Sequence, residues 1–254
     1  MSAGDFLITA ARTFGTPLYV YDVGAVRRRF DLLSDLFGNR FGVSYAVKAN
    51  PNLGLLRAIR DKVVTFDASA FAEVRRALAT GIEPKRITFS GPGKRREEIR
   101  QAVALGIGEL VLESVADARC AAASATRLGR VQSVLLRINP ASAPRAFGVN
   151  MAGKPSQFGV DEEDMAAALT AIEAMPGLSL IGFHIYSGTN SLNPEAIAEN
   201  FTIFTRIFRA AAAIVGRSPK KLIFGSGFGL PYLPEDEPLD IGRVARLVNP
   251  IIDE

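Results

Sequence analysis

The chain has a single cysteine and a single histidine in 254 residues, and no apolar run of the ~18 residues that a membrane-spanning helix needs. Each scarcity excludes something. With Cys120 alone, no intrachain disulfide can form, and a lone thiol fits a reducing cytoplasm. Cys120 lies in an alanine-rich, helix-like stretch (118–126) and reads as a small core residue. With His184 alone, a multi-histidine metal centre is excluded, and zinc would have to rely mostly on carboxylates, a donor set it seldom takes. No apolar segment follows a basic start at the N-terminus, so a secretory leader is not expected. The net charge is only +4, and the basic clusters 27–29, 94–96 and 220–221 carry no interleaved aromatics. They read as solvated faces, which leaves no nucleic-acid stripe. No low-complexity linker interrupts the chain, so residues 1–254 read as one domain.

What is present is an apolar content of 48% arranged in a repeating pattern. Short β-branched runs at 42–48, 63–67, 86–90, 109–113, 133–138, 178–186 and 221–224 read as strands. Helical patterns occupy 53–60, 70–80, 95–105, 115–128, 162–174, 194–215 and 241–252. Gly and Pro punctuate the joins, as at Gly81, Gly106, Gly129 and Pro176-Gly177. Strand-then-helix at this spacing implies a parallel sheet, and the expected architecture is an α/β fold of the (β/α)8 TIM-barrel type. Only seven such units can be counted. The segment TPLYVYD (16–22) resembles a strand but precedes a helical pattern at 23–37, so it reads as an N-terminal arm, and the barrel's last strand is missing.

Alternation along the strands selects the side chains that face the barrel axis. Lys48, Asp67, Arg137 and His184 share the inward parity near the C-terminal mouth, where barrel enzymes place their chemistry. On the sixth strand Leu180 and Gly182 fall inward with His184, and Ile181, Phe183 and Ile185 outward. Glu113 has the same inward parity, although a rim carboxylate often just pairs with a neighbouring base. The seventh strand runs into Gly225-Ser226-Gly227-Phe228-Gly229, where backbone N–H groups can approach an anion, and Ser187-Gly188 adds a hydroxyl nearby. An inward lysine, a histidine ring and an anion cradle match the aldehyde, flat ring and phosphate of pyridoxal 5'-phosphate (PLP).

Seven segments, in order, resemble the fold-type III PLP enzymes, the alanine racemase and ornithine/diaminopimelate decarboxylase superfamily. They are TPLYVYD, YAVKANPN (45–52), FDAS (66–69), LRINP (136–140), QFGV (157–160), GFHIYSGTN (182–190) and GSGFGLPY (225–232). Asn-Pro-Asn after Lys48 is similar to the decarboxylase branch. The resemblance implies that Lys48 forms the Schiff base with the cofactor and that His184 stacks on its ring. Ser187, Gly225, Ser226, Gly227 and Phe228 would bind the phosphate, while Asp67 and Arg137 order the lysine and the ring edge. A substrate amine would displace Lys48, CO2 would leave, and Cα would then be protonated. Two family features are absent from the sequence: a Glu-Pro-Gly-Arg segment whose glutamate pairs with the pyridine nitrogen, and a C-terminal β-domain with a catalytic cysteine. On its own the chain is therefore expected to be a poor decarboxylase, and it reads as part of a longer protein that the family implies is a homodimer.

Three activities stay open at this level. One is α-decarboxylation, of a free amino acid of the diaminopimelate or ornithine kind or of an aminoacyl group tethered to a carrier protein. The stretch 150–159, with HIYSGTN, is more similar to the carrier-dependent subgroup. A non-catalytic single-barrel PLP carrier is the second, and its chain length suits it. Racemisation is the third; it needs a second base opposite Lys48, and Tyr186 lies beside His184 instead.

Overall fold

The computed structural model describes residues 3–38, 40–144, 147, 149–150, 153 and 156–254. Two helices, α1 (Ala3–Phe14) and α2 (Val23–Phe37), precede the first strand, β1 (Ser44–Ala46). Then follow α3 (Leu53–Ile59), β2 (Thr65–Ala68), α4 (Phe71–Leu78), β3 (Ile87–Phe89), α5 (Arg96–Leu105), β4 (Glu109–Leu112), α6 (Val115–Arg127) and β5 (Gln132–Asn139). Two short strands, β6 (Val149–Asn150) and β7 (Val160–Asp161), lead to α7 (Met165–Glu173) and β8 (Leu178–Ile185). Last come β9 (Gly188–Thr189), α8 (Pro194–Val215), β10 (Lys221–Phe224) and α9 (Ile241–Asp253).

Seven strands pair in the order β1-β2-β3-β4-β5-β8-β10, every pair parallel, with β7 added beside β5. Among the described residues β10 and β1 do not pair with each other, so the curled sheet is an unclosed barrel wall. Parallel strands need crossover connections, and these are the helices. Several start where a short polar side chain can satisfy orphan N–H groups. Asn52 caps α3, Ser114 caps α6, Asn193 caps α8 ahead of Pro194, and Asp240 caps α9.

The main core lies between the sheet's outer face and the helices. Phe66, Phe89, Leu110, Leu112, Val134, Leu136, Ile138, Phe183 and Ile185 are all buried there. Of these, Phe66, Val134, Leu136, Ile138, Phe183 and Ile185 carry the outward parity that alternation assigns to the second, fifth and sixth strands, which leaves Asp67, Arg137 and His184 facing the axis; Val64, assigned outward as well, is exposed. Leu180 and Ile181 differ from expectation. The pairing of β5 with β8 skips Ile181, since Val134 faces Leu180 and Leu135 faces Gly182. This bulge reverses the parity below it, so Leu180 joins the outer core. The parity above it, which carries His184, is unaffected.

Other departures are local. Residues 16–22 form no strand, and Tyr19 is 89% exposed. Helix α1 was not legible from periodicity. Cys120 is half-buried against the main core rather than inside it.

Candidate functional site

The mouth is built from the C-terminal strand ends. Lys48 does not end a strand: β1 stops at Ala46, and Val47–Ala49 form one turn of 3-10 helix before Asn50-Pro51. Val47 is fully buried while Lys48 is exposed, so the turn aims the lysine stem out of the wall instead of burying its amine. Asp67, one strand over, is half-buried, and its Oδ2 accepts a hydrogen bond from Ser90 Oγ at 3.1 Å. Burial pushes its carboxyl up to about 6, opposed by the Ser90 hydroxyl and by the charges of Lys48 and Arg137.

Arg137 is buried and held on several sides. Its Nη1 donates to both oxygens of Glu113 at 3.3 Å, and its Nη2 to the carbonyl of Tyr186 at 3.5 Å. The ring of Phe158 lies 4.6 Å from the guanidinium carbon. Glu113 thus pairs with a base, as its position on the rim implies. His184 stands beside Arg137 in register. It is buried, and its Nδ1 has no partner. Desolvation, reinforced by the charges of Arg137, Lys94 and Lys48, lowers its pKa well below the ordinary value and keeps the imidazole neutral.

The cradle is assembled by two loops. The chain after β8 and the chain after β10 meet at a parallel bridge, Ser191 with Phe228. Ser191 N donates to Gly227 O and Gly229 N donates to Ser191 O, both at 2.9 Å, while Asn190 Oδ1 accepts from Leu230 N at 3.1 Å. A Cβ on Gly225 would lie 2.1 Å from the Tyr186 ring. Gly227 has φ +69°, and a Cβ there would lie 2.4 Å from the Phe147 ring and 2.9 Å from Gly188 O. Ser187 Oγ is buried without a partner. Two expected cradle members play narrower parts. Gly225 N is already used in donating to Ile185 O at 2.8 Å. The Phe228 side chain turns away to stack on Phe37, 6.4 Å apart, so at most its backbone serves the cradle.

Sequence reasoning missed Lys94. Its side chain is fully buried and lies 3.1 Å from Asp117, whereas neighbouring Arg95 is 81% exposed. The solvated-face reading of 94–96 therefore fails at its first residue. Asn190 and Phe158 were also missed as supports.

The two segments with the carrier-dependent resemblance are brought together: Val149 pairs with Thr189 and Asn150 with Gly188, antiparallel. Met151, Ala152, Lys154 and Pro155 of that stretch lie outside the described residues. Among the described residues no cluster of His, Cys, Asp and Glu could hold a metal ion, and no helix is long and apolar enough to cross a membrane.

The parallel barrel wall thus carries at one mouth a lysine, an orphaned neutral histidine, an orphaned serine hydroxyl and a glycine-rich loop. Residues 23–254 match the family described as "Pyridoxal-dependent decarboxylase, pyridoxal binding domain", and the chain belongs to that family. Its cofactor is pyridoxal 5'-phosphate. The chain is 37% identical over 237 residues to a diaminopimelate decarboxylase of Zymomonas mobilis, covering 90% of this chain and 55% of that protein. It is 31% identical over 248 residues to the L-glutamyl-[BtrI acyl-carrier protein] decarboxylase of Niallia circulans, covering 97% and 58%. The structure of diaminopimelate decarboxylase from Helicobacter pylori complexed with L-lysine superposes with a TM-score of 0.83 at 27% identity, covering 97% of this chain and 63% of that one. The chain thus spans less than two thirds of the length of these relatives.

Proposed function

We propose that residues 1–254 form the lysine-bearing barrel domain of a PLP-dependent α-decarboxylase acting on an amino acid or on a carrier-tethered aminoacyl group. The observation that carries this reading is the convergence of Lys48, Asp67, Arg137 and His184 on the mouth that the glycine cradle borders. The residues present fit the cofactor: the orphaned Ser187 Oγ suits a phosphate acceptor, and the orphaned His184 Nδ1 sits in a neutral ring that can lie flat on another ring. Bound there, PLP supplies an aldehyde for an amine and a ring that withdraws electrons from Cα.

The chain's own groups then divide the work. Lys48, exposed at the mouth, presents its Nζ to the aldehyde. Asp67 faces that ammonium and orients it, its Oδ2 held by Ser90. His184, kept neutral by burial, stacks without adding charge. Arg137, fixed by Glu113 and Phe158, bounds the ring edge. Ser187, Ser226, Gly227 and the backbone of Phe228 receive the phosphate, with Gly225 as the close-packed floor of the cradle.

Both substrate classes are represented among the relatives, by the diaminopimelate decarboxylases and the acyl-carrier-protein enzyme. The pairing of β6 with β9 brings together the two segments that resemble the carrier-dependent subgroup, which supports a tethered substrate. The lone half-buried thiol supports a cytoplasmic setting, and the family resemblance supports a homodimer.

The test is borohydride reduction with PLP followed by peptide mass mapping. The expected result is one phosphopyridoxyl adduct, on Lys48, lost in Lys48→Ala. Release of CO2 from free diamino acids or from an aminoacyl carrier protein then decides the substrate class. With the full-length protein, an adduct with no CO2 from either would return the reading to a non-catalytic carrier, and no adduct would overturn it.

A further inference from the structure

We infer that Lys94 is a positioning residue of the mouth, closing a buried ring of hydrogen bonds that holds Glu113 against Arg137, the strand neighbour of His184. The inference rests on the mouth being the cofactor site, as proposed above.

A lysine following a Gly-Pro-Gly turn can easily reach water, and lysines are almost never fully buried unless paired. Lys94 is nonetheless enclosed completely. Removing an ammonium from water costs several kcal/mol, which only close partners offset. Lys94 has those partners. Its Nζ donates to the carbonyl of Gly91 and lies 3.1 Å from Asp117 Oδ2, with the Phe89 ring 6.0 Å away.

The bonds continue into the site. Asp117 Oδ2 also accepts from the backbone N–H of Glu113 at 3.2 Å. Glu113 Oε1 accepts from the N–H of Gly91 at 2.8 Å, and Gly91 in turn accepts from Lys94. Lys94, Asp117, Glu113 and Gly91 thus form a closed ring across the ends of β3 and β4. Gly91 can serve on both sides because its φ of +97° turns its N–H and C=O to different partners. The carboxylate of Glu113 is oriented from this ring toward Arg137, whose strand neighbour is His184. Two cations and two carboxylates balance. Deleting Lys94 would leave the Asp117 carboxylate without its cation and open the ring that orients Glu113 toward Arg137.

The charge matters as well as the geometry. Arg137 stands beside His184 in register on β5, and the charges of Lys94, in the loop after β3, and of Lys48, in the turn after β1, also lower the His184 pKa. The carboxylates of Asp67, Glu113 and Asp117 lie on the same wall. On its other side β10 presents uncharged Ile223 at the paired position. Lys94 therefore helps hold the ring neutral, the state in which it can stack.

His184 being the only histidine of the chain, ring-15N-labelled histidine gives one set of ring signals. Lys94→Met should raise the His184 titration midpoint by about one unit, the order expected for removing one nearby charge at an effective dielectric near 20. Lys94→Arg should restore it, and PLP affinity should fall about tenfold in the Met variant only. A folded Lys94→Met with unmoved midpoint and affinity would overturn the inference. If that variant does not fold, Asp117→Asn cuts the same ring from a partly exposed position: a PLP affinity lowered about tenfold sustains the inference, and an unchanged one overturns it. A wild-type chain that takes no PLP would sink the functional reading while leaving the histidine readout intact.

Discussion

The two flanks of the barrel wall differ in how they are held. From β2 to β8 every strand has neighbours on both sides, and buried charges tie the strand ends together through Lys94, Asp117, Glu113 and Arg137. Between β10 and β1 there is instead a seam. A cleft of about 1040 Å³ lies there, lined by side chains including Phe41, Val64, Phe201, Leu222 and Phe224, and neither edge strand pairs with the other among the described residues. The site straddles this difference. Lys48 follows β1 and the glycine cradle follows β10, so the groups proposed to bond the aldehyde and the phosphate border the seam. Asp67, Arg137 and His184, which would orient the ring, stand on the stapled flank. A ligand spanning both would tie the loose side to the rigid one.

The sharpest way to break this comparison is on one strand. Phe66 of β2 is fully buried in the core and meets Tyr45 edge-on at 6.2 Å. Phe66→Ala should cost about 3–5 kcal/mol, the usual penalty for emptying an aromatic site, measured by urea unfolding. A loss below ~1 kcal/mol would show that the flank is no more rigid than the seam.

The next effect in size is pH-dependent and also belongs to the flank. The Asp67 carboxyl is raised from 3.8 to about 6 by burial. Between those values the folded chain holds more protons than the unfolded one. The stability this group contributes is therefore present at low pH and lost as pH rises through the window from about 4 to 6. Asp67→Asn should flatten that slope and raise stability at pH 7 by up to about 3 kcal/mol. A slope unchanged by the substitution would mean the carboxyl is not desolvated.

Much of this flank was legible in the sequence. Alternation on β5 put Arg137 inward because every second residue there is large and apolar, and α8 was readable to the residue from Pro194 and the apolar period up to Gly216. Lys94 was not legible, since what buries it is Asp117, twenty-three positions on and brought near only by the β3–β4 register. The overreach of the first strand to Lys48 has a local cause. Val47–Ala49 close a 3-10 turn, a conformation apolar periodicity cannot separate from a strand end. The bulge at Ile181 was equally invisible, because the extra residue is defined only by the partner strand.

On the cradle the expected change is smaller in stability and larger in binding. Gly227→Ala places a methyl group where the backbone is left-handed and Phe147 is 2.4 Å away. The cost should be about 1–3 kcal/mol, with PLP affinity falling at least tenfold by fluorescence titration. Retained affinity would remove Gly227 from the cradle.

The smallest effect is expected in the seam itself, and it completes the comparison begun at Phe66. Val64 lies two residues before Phe66 on the same side of the backbone, yet it is 52% exposed and lines the cleft. Val64→Ser should therefore change stability by no more than about 0.5 kcal/mol, as for other exposed substitutions. The same parity would then carry an effect several-fold larger at one position than two residues earlier, which pattern alone cannot explain and the place of Val64 on the cleft does. If Val64→Ser instead costs ~2 kcal/mol or more, Val64 is covered in solution and the cleft it lines is filled.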